Sequence, residues 1–128
     1  MSAEPGAAIA VVDDDESLRN SLVRLFRSAG YSVEGFASAT ELWASLATRK
    51  PRCVFLDLQL PDVSGVELLE RFAKLADAPP VVVITGNDDP SVRDQCIALG
   101  ARHYFRKPLD CDSLLEAAAE IAEPNCKA

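Results

Sequence analysis

The sequence predicts an α/β fold in which five strand–helix units build one parallel sheet with helices on both faces. Three observations predict it. Short apolar runs alternate with segments whose apolar residues recur at helical spacing, and the connections between them are short. The runs at 8–12, 53–56 and 81–84 are apolar throughout, as strands buried on both faces must be. Finally, runs end abruptly in residues that can do chemistry: Asp13 and Asp14, Asp57, Thr85 and Lys107. Right-handed crossovers bring every strand's carboxyl end to one edge of such a sheet, where open α/β folds place their chemistry.

Taken in order, Ala8-Ile-Ala-Val-Val12 reads as the first strand, and Asp13-Asp14-Asp15-Glu16 ends it. Four adjacent acids repel one another, which raises some of their pKa values unless a cation neutralises them. From Ser17 the pattern is helical, with Leu18, Leu22, Leu25, Phe26 and Ala29 on one face and Gly30 as the stop. Tyr31 to Phe36 alternates like a strand with one polar face. Ser38-Ala-Thr40-Glu41 opens a second helix with a stripe of Ala39, Leu42, Trp43 and Leu46, and Lys50-Pro51 closes that unit. The third strand runs from Arg52 to Asp57 and passes into the loop Leu58-Gln59-Leu60-Pro61-Asp62-Val63-Ser64-Gly65.

Val66, Leu69, Phe72, Ala73 and Ala76 mark a third helix, broken by Ala78-Pro79-Pro80. Val81 to Ile84 is the most apolar strand, and Thr85-Gly86-Asn87-Asp88-Asp89-Pro90 is a polar loop with Asp88 or Asp89 as the cap of the next helix. That helix has Val92, Cys96 and Leu99 inward and ends at Gly100. His103 to Arg106 is the fifth strand, and 110–123 the last helix, with Leu114, Ala118, Ile121 and Ala122 on its apolar side. Residues 1–7 are expected to form a flexible leader, 8–122 the folded domain and 123–128 a tail or linker stub.

Composition narrows the function. A chain of 128 residues is long enough for one well-buried core, and a net charge of −7 without a dense Lys/Arg block argues against a nucleic-acid surface. No apolar run approaches membrane-spanning length, and the first residues lack the basic and apolar segments of a signal peptide. Cys53, Cys96, Cys111 and Cys126 form no C-x-x-C pair and have no histidine at metal spacing, so they are expected to be reduced thiols in a cytoplasmic protein.

The strand-end residues suit one chemistry. Three carboxylates with nearby carbonyls form a hard-oxygen site for Mg²⁺, which retains waters and accepts one or two carboxylates plus phosphate oxygens. A carboxylate can attack phosphorus to give an aspartyl phosphate. The transition state spreads charge over three oxygens and calls for a metal, a cation and a hydrogen-bond donor. Asp13 and Asp14, Lys107 and Thr85 supply those roles around Asp57.

Over about residues 8–122 the chain resembles the receiver domain of bacterial two-component response regulators. The matching motifs are Val-Val-Asp13-Asp14, Leu-Asp57-Leu-Gln-Leu-Pro61 with Gly65, Ile-Thr85-Gly86, Gly100-Ala101 and Tyr104-Phe-Arg-Lys107-Pro108. Each is weak alone; their order and spacing together are specific. The resemblance implies a (βα)5 flavodoxin-like receiver fold and a phosphoacceptor at Asp57, served by a sensor histidine kinase or a phosphotransfer protein. It implies that Asp14, Asp57 and the Gln59 backbone carbonyl bind Mg²⁺, with Asp13 holding a metal-bound water. Thr85, Gly86 and Lys107 would contact the phosphoryl group, and Thr85 and Tyr104 would form the switch. Gln59 and Asn87 would border the path of the hydrolytic water and set the lifetime of the phosphoryl group. The Lys107–Pro108 bond is expected to be cis. Such a domain is no enzyme beyond catalysing its own phosphorylation and dephosphorylation.

Rival functions share the fold. A flavin carrier needs a Ser/Thr/Gly-rich phosphate loop after the first strand, where this chain is acidic. An aspartyl phosphatase usually carries a second Asp two residues after its nucleophile, where this chain has Gln59. The alternative is a phosphorylation-independent interaction module, yet the acidic pair, the acceptor and the lysine are all present. The fourth helix, fifth strand and fifth helix carry mixed charges (Arg93, Asp94, Arg102, Arg106, Asp110, Asp112 and Glu116), which suits a weak homodimer or partner contact. His103 is expected at a surface strand position, without a phosphorelay role.

Overall fold

Strand β1 (Ile9–Val12), β3 (Cys53–Asp57) and β4 (Val81–Thr85) are buried at every position. Only strands with a covered sheet on both sides require that pattern. The structure, a computed structural model, describes residues 9–48, 50–86 and 89–122. The leader 1–7, the tail 123–128 and Asn87 lie outside the described residues. Between the strands run α1 (Glu16–Ser28), β2 (Val33–Phe36), α2 (Ala39–Ser45), α3 (Gly65–Ala73), α4 (Pro90–Ala98), β5 (His103–Arg106) and α5 (Cys111–Ala122). All pairings are parallel and the strand order is β2-β1-β3-β4-β5. Strand order reverses between β1 and β3, so a crevice opens there at their carboxyl ends.

The period of two in each strand divides the core into two layers. Ala10, Val12, Val54, Leu56, Val81 and Val83 face α2, α3 and α4 with Leu42, Leu68, Leu69, Phe72 and Cys96. Ile9, Val11, Cys53, Phe55, Val82 and Ile84 face α1 and α5 with Leu22, Phe26, Leu114 and Ala118. Phe26 and Phe55 lie with ring centroids 4.6 Å apart in this second layer. Each large aliphatic or aromatic side chain buried here contributes about 1.5–3 kcal/mol by leaving water. Helices α1 and α4 end alike. Gly30 and Gly100 take φ of +101° and +108°, and the next amides, Tyr31 and Ala101, reach back to Phe26 and Cys96 at 3.1 and 3.0 Å. This closure satisfies the last carbonyls and needs a residue free to turn left-handed.

Several boundaries differ from the sequence reading. Helix α1 starts at Glu16, one residue early, because Asp15 caps it and accepts the Ser17 and Leu18 amides at 3.0 and 3.2 Å. Strand β2 starts at Val33, and Tyr31 instead packs edge-on against Phe26 at 6.5 Å. The buried stripe of α3 is Gly65, Leu68, Leu69 and Phe72, so Ala73 and Ala76, expected inside, are exposed and Leu68 takes their place. The helix stops at Ala73, which rotates that face away before Ala76 is reached. In α4 only Cys96 is fully buried, Val92 and Leu99 are half-buried, and Ile97 is 48% exposed. Asp89 is the cap of α4, with Pro90 in its first turn. Helix α5 begins at Cys111, preceded by Asp110, whose carboxylate accepts the Ser113 amide at 3.1 Å. Cys53 and Cys96 are buried and Cys111 exposed, all as free thiols. Among the described residues no helix is long and apolar enough to cross a membrane.

Candidate functional site

Strand β1 delivers Asp13 to the crevice while its main chain still belongs to the sheet: its amide donates to Phe36 O at 3.0 Å. Its side chain is fully buried, and Oδ1 accepts the Asp15 amide at 2.9 Å. Asp15 is used as the α1 cap, and Asp14 between them is exposed. The acidic run thus divides its work: one acid is buried, one is exposed, and one closes the helix. Asp57 ends β3 at 2% exposure, with Oδ1 accepting the Gln59 amide at 3.0 Å. Thr85 ends β4 at 1% exposure, and its carbonyl accepts the Lys107 amide at 2.8 Å. That bond sets Lys107, just past β5, at the same edge. The Lys107–Pro108 peptide bond is cis.

Lys107 Nζ lies 3.4 Å from Asp13 Oδ2 and 3.3 Å from Asp57 Oδ2. Both distances exceed the ~2.7–2.9 Å of a tight charge-assisted bond, so the ammonium is shared between the two carboxylates. Partial burial of Lys107 works against its charge, but Asp57 and Asp13 outweigh it and hold the pKa above the ordinary lysine value. Burial is the largest influence on Asp13 and, with the charge of Asp57, pushes its carboxyl up to about 6 despite the Asp15 amide and Lys107.

Oxygens of Asp13, Asp14 and Asp57 lie within 4.8 Å of one another. Two of these acids are buried and one is exposed, which provides oxygen ligands and keeps one side open to water. That donor set fits Mg²⁺, which dehydrates reluctantly. Gln59 and Gly86 are exposed at the same edge. Tyr104 pairs in register with Val83, packs against the α2–α3–α4 layer and has its hydroxyl out of solvent. His103 is half-buried, with Nε2 2.8 Å from Glu120 on α5 and its ring stacked on Phe105.

Three further residues shape the site: Gly65, which the motif around Asp57 already includes, and Asp62 and Arg19, which no motif includes. Gly65 opens α3 where an added Cβ would lie 2.6 Å from Leu58 Cα and 3.0 Å from Asp57 O. Its amide donates to Leu58 O at 2.9 Å. Glycine is therefore a matter of room: α3 passes directly over the strand end that carries Asp57. Asp62 ties the β3–α3 loop to α2, and Arg19 reaches the Asp13 backbone carbonyl at 2.8 Å. The Pro…Gly spacing hints at the first; nothing local in the sequence marks the other two.

Residues 9–119 match the model of the response regulator receiver domain. Nodulation protein W of Bradyrhizobium diazoefficiens is 35% identical over 125 residues, covering 98% of this chain and 55% of that protein. The transcriptional regulatory protein FixJ of the same organism is 34% identical over 122 residues, covering 93% of this chain and 60% of that protein. The chain thus spans a little over half the length of these relatives. Among solved structures, a CheY-like receiver domain from Methanospirillum hungatei superposes with a TM-score of 0.82 at 32% identity, covering 88% and 90% of the two chains. A response regulator from Burkholderia pseudomallei, solved with a phosphorylated aspartic acid, calcium ion and citrate, superposes with a TM-score of 0.78 at 28% identity, covering 85% and 64%.

Proposed function

The chain belongs to the response regulator receiver domain family, and from that premise we propose that Asp57 accepts a phosphoryl group from a histidine kinase or phosphotransfer protein, with Mg²⁺ bound at Asp13, Asp14 and Asp57. Receiver domains are signalling domains rather than classical enzymes, and the catalysis proposed here is confined to Asp57's own phosphorylation and dephosphorylation. One observation carries the reading: a buried acceptor carboxylate shares a lysine with a second buried acid at a sheet edge. The lysine Nζ lies 3.3 Å from Asp57 and 3.4 Å from Asp13.

A carboxylate oxygen of Asp57 forms the new O–P bond as the P–N bond to the donor histidine breaks, its electron pair returning to the imidazole. Lys107 offsets charge on the transferring oxygens, and the Thr85 hydroxyl and Gly86 amide complete their reception. When bound, Mg²⁺ supplies further charge neutralisation. Asp14, Asp57 and the Gln59 carbonyl would hold it, and Asp13 a water on it. Gln59 and Asn87 are proposed to set how long the phosphoryl group lasts, as uncharged amides that order water without acting as bases. The protein is expected to act in the cytoplasm. Output is proposed to leave through α4, β5 and α5, without nucleic-acid contact by this domain.

Intact-mass spectrometry after exposure to acetyl phosphate and Mg²⁺ tests the acceptor. One added phosphoryl group is expected, absent in Asp57→Asn. An unlabelled wild-type chain that still binds a partner would favour the phosphorylation-independent module instead.

A further inference from the structure

Behind the acidic pair lies an arginine that the phosphoryl chemistry does not use. Arg19, in the first turns of α1, donates from Nη1 to the backbone carbonyl of Asp13 at 2.8 Å. Its stem crosses β2 at Gly35, which pairs with Val11 of β1. A Cβ on Gly35 would lie 3.1 Å from Arg19 Cγ, 3.2 Å from Cδ and 3.3 Å from Val23 Cγ2. Gly35 has no positive φ, so it supplies room and not backbone freedom. Glycine inside a strand weakens it and often marks close approach by another group; here that group is the arginine stem.

We propose that Arg19 is a positioning residue for the metal-binding acids: passing through the gap at Gly35, it fixes the peptide that joins Asp13 to Asp14. This rests on the Mg²⁺ reading above. With Arg19 in place, the Asp13 amide, carbonyl and Oδ1 are all engaged, and Oδ2 alone faces Lys107. Asp14 follows directly, so the direction in which its exposed carboxylate leaves the turn depends on how that peptide is set. A charge-assisted bond to a carbonyl is stronger than a neutral one, and partners behind a metal ligand orient the ligand. Arg19 also sets one cation against four consecutive acids, Asp13 to Glu16.

The test retains the guanidinium charge and removes only its place. Gly35→Val puts a β-branched residue, favoured in strands, where the Arg19 stem runs. Some loss of thermal stability is expected as well, since the added side chain also meets Val23 Cγ2 at 3.3 Å. The ¹⁵N resonance of Asp14, whose amide shares its peptide with the Asp13 carbonyl, should shift. Calorimetric Mg²⁺ affinity should fall ~10-fold, the scale on which groups behind a metal ligand act. Arg19→Ala should move the same resonance, and adding Gly35→Val to it should change nothing more, as a shared route requires. The proposal is overturned by an unmoved Asp14 resonance in Gly35→Val, by unchanged Mg²⁺ affinity, or by a valine effect that persists without Arg19. A wild-type chain that binds no Mg²⁺ defeats the metal reading instead, and the Asp14 resonance then decides whether Arg19 anchors the turn.

Discussion

Asp62 caps the first turn of α2 from twenty-two residues away: its Oδ2 accepts the Thr40 amide at 3.0 Å and also the Thr40 hydroxyl. Its Oδ1 accepts the Ala39 amide at 3.3 Å, while the Ser38 hydroxyl accepts the Glu41 amide and the Glu41 carboxylate accepts the amide of Ala37, one residue before the cap. The loop that carries Gln59 is thereby tied at its far end to a helix in the adjoining layer.

The tie has a pH signature. The Thr40 hydroxyl, with the backbone amides, holds the Asp62 carboxyl down to about 2. A folded pKa below the unfolded value of about 3.9 means stability that is fully present above pH ~4 and lost as pH falls through about 2. Urea melts of wild type and Asp62→Ala should differ at neutral pH, with the variant weaker, and converge near pH 2. A gap that stays constant with pH would count against the tie.

Asp13 runs the other way. Its carboxyl, raised to about 6 chiefly by burial, binds a proton more tightly folded than unfolded. Its contribution to stability therefore falls as pH rises from about 4 to about 6 and is level above that. Mg²⁺ favours the ionised, folded form, so it should raise the melting temperature at pH 7 and do so less at pH 5. Melting curves in millimolar Mg²⁺ and in chelator, at both pH values, check this; curves that coincide at pH 7 contradict it.

Gly65→Ala should be damaging although the glycine lies in a helix, where alanine is normally favoured. The new methyl meets the Leu58 backbone at 2.6 Å, which cannot move without displacing Asp57's own strand end. A loss of about 1–3 kcal/mol is expected from such overpacking, with slower labelling of Asp57. Urea denaturation and timed intact-mass measurements read the two effects.

The proposed output face mixes exposed charges with the half-exposed Ile97. Exposed pairs contribute about 0.2–1 kcal/mol each, so a dimer formed there should be weak and salt-sensitive. Beryllofluoride should shift sedimentation modestly towards dimer, and Tyr104→Ala should blunt the shift with Asp57 labelling intact. Because the Tyr104 hydroxyl is already out of solvent, the ring has less distance to travel than a switch starting outside. Shift changes confined to α1 and α2 would place the output elsewhere.

Most of the placement of the strand-end residues is legible in the sequence because a parallel sheet converts local pattern into position. An apolar run buried on both faces tolerates a charge only where it ends, and all ends share an edge. Asp13, Asp57, Thr85 and Lys107 could thus be placed together without knowing any distance. Helix faces are less legible near a helix end: Ala76 lies past the last residue of α3, where the face it would continue no longer exists, while Ala73, the last helical residue, is exposed.

The sequence alone determined the order of elements, the sheet edge at which the strand-end residues gather and the acids that meet there. Tertiary structure alone decided that Asp13 is the buried acid and Asp14 the exposed one, that Gly65 must lack a side chain, and that Asp62 and Arg19 brace the two loops. The physical reason is one of range. Burial patterns repeat every two or four residues and leave their mark on neighbours in the chain. A helix cap donated from twenty-two residues away, or a side chain crossing a neighbouring strand, leaves no periodic trace and exists only once the layers have packed.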